Sequence, residues 1–151
     1  MKKVLMAVIA AALVAMAGSA MADTTTVAVS ATVTGTCRFL STGTISFALD
    51  PSSGGVANGT VGQPTFWCTR GTNFTITDDD GLWESGTTHR MRHATVTTEY
   101  IPYSFTYTST GTGGGRGTTV TMDIASQVLN ADFINALAGS YADTVTLTIT
   151  P

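Results

Sequence analysis

The feature that most constrains this chain is a period of two in its apolar residues, which recurs from about residue 27 to its last residues. Successive side chains of a strand point to opposite faces, so apolar residues that alternate with polar ones predict strands buried on one side only. Thr is abundant, is β-branched and suits the solvated face of such strands. The alternating runs are Val27–Val33, Ile45–Leu49, Phe74–Ile76, Ile101–Tyr107, Val120–Ile124 and Val145–Ile149.

Turn-forming residues separate these runs. Residues 50–55, Asn58-Gly59 and residues 78–81 are rich in Asp, Asn, Ser and Gly, and residues 111–115 predict a flexible, glycine-rich loop tip. Only residues 125–137 have helical character, and we expect at most a short helical turn near Asp132–Ala136. Many short strands separated by turns predict an all-β sandwich or barrel in a single domain.

The N-terminus has the features of a secretory signal peptide. Lys2 and Lys3 precede an apolar run from Val4 to Ala17, and Ala20-Met21-Ala22 fits a cleavage site before Asp23. A membrane anchor is the alternative, but the run is shorter than the roughly 18–20 residues that a span needs. We therefore expect residues 1–22 to be removed on export through the periplasm, and we expect no stable membrane insertion.

Removal of the signal peptide changes the charge balance, because both lysines lie within it. Five arginines then remain against ten acidic residues, a formal net charge of −5 over 129 residues. Nucleic-acid binding requires many contacts that neutralise phosphates, so this composition predicts that nucleic acid is not a partner.

Cys37 and Cys68 are the two cysteines of the chain. In an oxidising compartment we expect them to form a disulfide, which would close a loop of about 32 residues and stabilise the fold by roughly 3–4 kcal/mol. A pair of metal ligands or a redox couple is the alternative, although the C-x-x-C spacing typical of redox pairs is absent.

The residues that often carry chemistry do not form a recognisable catalytic pattern. His89 and His93 would suit a metal if they lay on a helix, but on a strand they would be about 13 Å apart, so we interpret them as surface histidines. The acidic run 78–81, with Glu84 beyond it, lacks the EF-hand spacing and predicts a solvated turn. No nucleophile motif is present, so we predict no metal, no cofactor and no enzymatic activity.

The two ends of the chain suggest an incomplete immunoglobulin-like β-sandwich. The chain stops within a strand at its C-terminus, and a spare alternating segment precedes the first cysteine. A missing strand would leave an edge that another chain's strand can fill, and head-to-tail filling builds a fibre. The alternative is that residues 24–33 pair within their own domain as an ordinary first strand, and the residues alone leave both possibilities open.

Several segments along the whole chain resemble one family of secreted proteins. The most specific is Gly139-Ser140-Tyr141-Ala142-Asp143-Thr144-Val145, which is similar to a G-x-Y-x-D-T-V ending. On these pieces the chain resembles the spore coat protein U domain family, which includes the subunits of archaic chaperone–usher pili. The other matching segments are residues 29–37, 45–47, 66–76, 90–91 and 101–103.

The resemblance implies a structural subunit of a surface pilus that is assembled by donor-strand exchange and serves adhesion and biofilm formation. Its partners would be a periplasmic chaperone, an outer-membrane usher and identical or related pilin subunits. The implied organisation is a donor-strand extension at 23–36 and a pilin-like sandwich at 37–151, completed by a donated strand. The donor side chains would be Val27, Val29, Ala31 and Val33, and the edge of the acceptor groove would hold Val145, Leu147 and Ile149.

Two other functions remain as alternatives. The first is a secreted coat or matrix protein of the same fold whose N-terminal segment completes its own domain. The second is a secreted carbohydrate-binding domain in which Trp67, Trp83 and several tyrosines form a stacking platform.

Overall fold

A computed structural model of the chain describes residues 21–151. The predicted signal peptide lies outside the described residues, apart from Met21 and Ala22 at its end. The chain separates into two units, which divide after Thr32. In the first unit, residues 21–32 have no regular secondary structure and are exposed.

The second unit, residues 33–151, is built almost entirely of short strands, which confirms the all-β prediction. The described residues hold thirteen strands and one helix of four residues. The elements are β1 (Cys37–Phe39), β2 (Thr44–Ser46), β3 (Ala57–Asn58), β4 (Thr60–Gly62), β5 (Thr65–Cys68), β6 (Asn73–Asp78), β7 (His89–His93), β8 (Tyr100–Thr106), β9 (Thr110–Thr112), β10 (Val120–Thr121), β11 (Ala125–Val128), α1 (Asn130–Phe133), β12 (Tyr141–Ala142) and β13 (Leu147–Thr150).

All strand pairs among the described residues are antiparallel. The largest sheet has the order β12-β7-β8-β11-β3, and two three-stranded sheets have the orders β1-β5-β10 and β13-β6-β9. The strands β2 and β4 form a separate pair. The C-terminal residues 141–150 thus begin in one sheet as β12 and end in another as β13.

Two apolar clusters fill the interior, and they follow from the period of two. In β6, Phe74 and Ile76 are buried while their neighbours are exposed. Each fully buried side chain of this size contributes about 1.5–3 kcal/mol, and Phe105 packs against both clusters. The first cluster is Phe66, Cys68, Phe74, Ile76, Met122 and Ile124, and the second is Ile101, Tyr103, Val128 and Phe133.

The disulfide between Cys37 and Cys68 is present, as predicted, and joins residues directly opposite each other in β1 and β5. Close packing surrounds it, because a Cβ atom on Gly113 would collide with Cys68 and with the carbonyl of Thr69. The prediction of a flexible loop tip at residues 111–115 is therefore wrong for residues 111–113. Thr110–Thr112 form β9, and Gly113 is buried where the backbone approaches the disulfide.

Several predicted boundaries are also corrected. Asn58-Gly59, predicted as a turn, is the point where the chain leaves β3 in one sheet for β4 in another. The backbone N–H of Gly59 donates to Ser126 O, so the register of β3 with β11 extends one residue further. The helical turn begins at Asn130, two residues before the expected position. No strand forms at residues 27–33.

Candidate functional site: an open groove between two strand edges

Two stretches of chain face each other across the second unit, and each is paired on one side only. The first stretch, residues 37–46, contains β1 and β2, which pair with β5 and β4. The second, residues 141–150, contains β12 and β13, which pair with β7 and β6. Within residues 21–151 all four strands lie at the end of their sheet's strand order. Their inner edges therefore carry N–H and C=O groups without ladder partners.

Between these edges lies a groove of about 710 Å³. Side chains from both apolar clusters form its floor, so the groove opens onto the interior of the fold. An apolar interior reached from a gap between two strand edges is what a sandwich lacking one strand exposes. The apolar lining residues are Phe39, Ile45, Phe47, Val61, Pro64, Met91, Tyr103, Phe105, Ile124, Tyr141, Ala142, Val145 and Leu147.

The structure brings two of the three predicted edge residues to this groove. Val145 and Leu147 line it, and they pack against different clusters, Val145 against the second and Leu147 against the first. Ile149 does not line the groove and packs only against the first cluster. At that end Cα atoms of β1 and β13 come within 8 Å of one another, so the gap between the two edges narrows.

Hydrogen bonds to carboxylates hold the unpaired residues 143–146 in place between β12 and β13. The Tyr103 hydroxyl donates to Asp143 Oδ2 at 2.7 Å, and the Leu82 N–H donates to Asp143 Oδ1 at 2.9 Å. Further along, the Thr146 N–H donates to Asp79 Oδ1 at 2.8 Å. Burial and the hydrogen bond to Asp143 raise the pKa of Tyr103. The Thr146 N–H holds the pKa of Asp79 below its usual value.

The sequence predicted a solvated turn at residues 78–81, but the acidic side chains there also make hydrogen bonds within the fold. Asp78 accepts hydrogen bonds from the Tyr107 hydroxyl at 2.6 Å and from the Asp80 N–H at 3.0 Å, and it lies 3.2 Å from His89 Nε2. Burial alone would raise the pKa of Asp78, but these partners outweigh burial and lower it. Asp79 and Asp78 thus link the groove edge to His89 on β7 and to Tyr107, which follows β8.

Asp78, Asp80 and His89 offer ligand atoms within 4.8 Å of one another, the spacing that a metal ion could use. Both oxygens of Asp78 already have hydrogen-bond partners, and His89 Nε2 is one of them. Because Asp78 and His89 already use these atoms in hydrogen bonds, we interpret the cluster as a set of contacts that stabilise the fold.

The interpretation of His89 and His93 as surface residues is wrong, because both are buried. They lie on β7, and the alternation His-Arg-Met-Arg-His places them on its inner face. The ring of His89 lies beside those of Tyr103 and Phe105. The period of two could have predicted the burial of both histidines, if histidine had been counted among the inward-facing residues.

His93 explains part of the Gly139–Val145 motif. Its Nδ1 accepts the N–H groups of Thr95 and Val96, and its Nε2 donates to Ala138 O. The ring of Tyr141 packs edge-on against the imidazole with centroids 4.9 Å apart. A Cβ on Gly139 would overlap the imidazole, so the motif requires glycine there.

The two tryptophans lie in different parts of the fold. Trp67 lies on β5 opposite Arg38, whereas Trp83 lies in the segment between β6 and β7. The guanidinium of Arg92 stands 3.2 Å from the centroid of the Trp83 ring and covers one face of it. Nothing in this arrangement favours a carbohydrate-binding role.

The predicted donor residues lie in and next to the first unit, and they are exposed. Val27, Val29 and Val33 are more than four-fifths exposed, and Ala31 is exposed as well. Exposed apolar side chains that alternate with Ala, Ser and Thr give this segment one apolar face and one mostly polar face once it is extended.

Among residues 21–151, no helix is long and apolar enough to cross a membrane. The proposed cleavage position between Ala22 and Asp23 lies in exposed chain without regular structure.

Comparison with known proteins gives a family and a structural neighbour. The family described as Spore Coat Protein U domain matches residues 23–148. No curated protein matches. The CsuC–CsuE chaperone–tip adhesion subunit pre-assembly complex, from the archaic chaperone–usher Csu pili of Acinetobacter baumannii, contains a similar chain with a TM-score of 0.46 and 19% identity. The match covers 78% of this chain and 40% of that one.

A match to this family over most of the chain indicates an exported, surface or extracellular protein with a structural role. This agrees with the prediction that the chain is not an enzyme.

Proposed function

Because this chain belongs to the Spore Coat Protein U domain family, we propose that it is a structural subunit of a surface pilus, assembled by donor-strand exchange and serving adhesion and biofilm formation. The observation that carries the proposal is the groove, an opening of about 710 Å³ between two strand edges that each pair on one side only. A strand from another molecule would complete both edges and cover the apolar floor at once.

The N-terminal segment has the chemistry of such a strand. Val27, Val29, Ala31 and Val33 share one face of an extended chain, and their burial in a neighbour's groove would contribute about 4–8 kcal/mol. Backbone hydrogen bonds to the open edges would add about 0.5–1.5 kcal/mol each. This gain suits a fibre that must hold together without covalent links between subunits.

On this proposal the signal peptide, residues 1–22, is removed on export, residues 23–36 are the donor extension and residues 37–151 form the acceptor domain. A periplasmic chaperone would cover the groove before assembly, because an open apolar groove with unpaired edges promotes aggregation. An outer-membrane usher would then replace the chaperone strand with the extension of the next identical or related subunit.

The test is electrophoresis in SDS of the protein secreted with its chaperone and usher, unboiled and boiled, with and without residues 24–33. We expect a ladder that survives SDS, collapses on boiling and is lost in the deletion variant. A synthetic peptide of residues 24–33 should bind the deletion variant as a one-to-one complex.

A stable monomer in every lane would contradict strand exchange between molecules. It would favour the secreted coat or matrix protein in which residues 24–33 complete their own domain. A ladder that persists after the deletion would exclude residues 24–33 as the donor.

A further inference from the structure

A group of exposed apolar side chains lies at the end of the fold where α1 is found. Val56 precedes β3, Leu129 follows β11, and Ile134 and Leu137 follow α1. Val128 pairs with Ala57, so the same antiparallel register places Leu129 beside Val56. These four residues, here called the end patch, are between 41% and 53% exposed. They are not among the residues that line the groove.

The end patch and the disulfide lie at opposite ends of the fold, because residues 141–150 run from one to the other. Tyr141 pairs with His93, whose imidazole bonds to Ala138 close to the end patch. Thr150 pairs with Thr75 at the start of β6, close to the disulfide end, where Thr36 bonds to Thr69.

The donor segment leaves the domain at the disulfide end. Thr36 donates its N–H to Thr69 Oγ1 and accepts from the Thr69 N–H, so the chain is fixed to the domain immediately before Cys37. Val33 lies four residues before Cys37, and a fully extended chain of that length spans about 14 Å at most. A donor strand that ends at Val33 therefore brings the two subunits into direct contact.

The direction of entry into the groove decides which surfaces meet. If the donor entered at the acceptor's disulfide end, two identical ends would face each other, and the pair would close by mutual exchange instead of growing. An open head-to-tail fibre requires different ends to meet, so the donor must enter at the α1 end. The groove agrees with this direction, since it narrows between β1 and β13 at the disulfide end.

We infer that the end patch is a second contact between subunits, which packs against the disulfide end of the subunit that donates its strand. This inference rests on the proposed strand exchange and goes beyond it, because it assigns a surface outside the groove. The partner is a second copy of this chain, and its facing surface is the loop that follows β9, together with residues 69–72.

The charges at the two ends are complementary. Arg70 and Arg116 are exposed at the disulfide end, and neither has a carboxylate within 4.0 Å among residues 21–151. Asp132 lies in α1, between two residues of the end patch, Leu129 and Ile134. Contact between the ends would cover the apolar side chains and place opposite charges near each other.

Thiol protection tests this contact, because both native cysteines form the disulfide and an introduced cysteine is the one free thiol among the described residues. Leu137→Cys is the test variant. Leu82→Cys is the comparison variant, since Leu82 is an exposed leucine outside the end patch, with its backbone N–H bonded to Asp143. Maleimide labelling is measured on polymers and on deletion monomers whose groove is filled by the peptide of residues 24–33.

The filled monomer and the polymer have the same groove occupancy, but only the polymer has neighbouring subunits. We expect Leu137→Cys to label about tenfold or more slowly in the polymer, and Leu82→Cys to label at the same rate in both. Equal rates for Leu137→Cys in a preparation that still gives the SDS-resistant ladder would overturn this inference and leave strand exchange standing. Equal protection at both positions would also overturn it, because the contact would not be localised. Loss of the ladder itself in the unmodified chain would overturn both proposals.

Discussion

Two segments of this chain carry the same alternation of apolar and polar residues, yet only one of them forms strands. Residues 141–150 contain β12 and β13, and their alternate side chains are half-buried against the interior. Residues 24–33 alternate in the same way, have no strand and are exposed. Both segments are rich in β-branched residues, so intrinsic preference does not separate them.

The difference lies in the partners that each segment finds in its own chain. Residues 141–150 pair with β7 and β6, and the carboxylates of Asp143 and Asp79 hold the unpaired stretch between the two strands. No described strand pairs with residues 24–33. An alternation of period two therefore predicts that a segment can form a strand, but it does not identify the molecule that supplies the partner.

The largest expected effect comes from a charge on the apolar face of the N-terminal segment. Val29→Asp would place a carboxylate in the neighbour's apolar groove, at a cost of several kcal/mol, and should abolish the SDS-resistant ladder. Ser30→Asp, one residue away on the opposite face, should leave the ladder intact. An equal loss in both variants would show that the segment does not act through one apolar face.

The second prediction compares truncations in the two segments of the monomer. Leu147→Ala removes a half-buried side chain from the first apolar cluster and should lower the free energy of unfolding by about 2 kcal/mol. Val29→Ala affects an exposed residue and should change it by less than about 0.5 kcal/mol. Urea unfolding at concentrations too low for polymerisation measures both values. A loss in Val29→Ala as large as that in Leu147→Ala would indicate that the segment completes its own domain.

The third prediction concerns the hydrogen bonds that hold the groove edge. Tyr103→Phe removes the hydroxyl that donates to Asp143 Oδ2 and should destabilise the domain by about 1–2 kcal/mol. Backbone amides of residues 143–147 should then exchange faster with deuterium. Tyr107→Phe is the comparison variant, because that hydroxyl donates to Asp78 on β6 and not to Asp143. Faster exchange of residues 143–147 in both variants would show that Asp143 has no special role at this edge.

The sequence predicted the elements that depend on local pattern. The apolar residues of runs 74–76 and 101–107 form the buried faces of β6 and β8. When large apolar residues alternate with polar ones, only one orientation of the strand buries the apolar side chains. The disulfide was predictable because an oxidising compartment and two cysteines leave few alternatives.

The bracing of the groove was not predictable, because it depends on contacts between distant residues. The bond from Thr146 to Asp79 spans 67 positions, and that from Tyr103 to Asp143 spans 40. Aspartates in a row next to a glycine are typical of a solvated turn. Only the tertiary structure shows that they fix the C-terminal segment. The buried histidines were missed for a similar reason, since His89 is stabilised inside by Asp78 and two aromatic rings.

The smallest effect is expected from acid. The pKa of Asp79 lies below its ordinary value of 3.8, chiefly because of the hydrogen bond from the Thr146 N–H, and that of Asp78 is lowered by partners that outweigh burial. A lowered pKa in the folded state stabilises the fold above the unfolded value, and this contribution is lost as the pH falls below about 4 towards the folded value. Asp79 is exposed, so solvent screening keeps its contribution well under about 1 kcal/mol. The side chain of Asp78 is only 16% exposed.

Asp123 is the control that distinguishes acid sensitivity at the groove edge from acid sensitivity elsewhere in the fold. Its pKa is also lowered, but by hydrogen bonds from Thr108, which lies outside the C-terminal segment. Asp79→Asn and Asp123→Asn should each flatten the fall in urea stability between pH 5 and pH 3, relative to the unmodified chain. Only Asp79→Asn should also remove the acid-dependent increase in exchange at the Thr146 amide. If that increase persists in Asp79→Asn, the hydrogen bond to Asp79 does not hold the C-terminal segment in place, and pairing with β6 and β7 alone would account for its order.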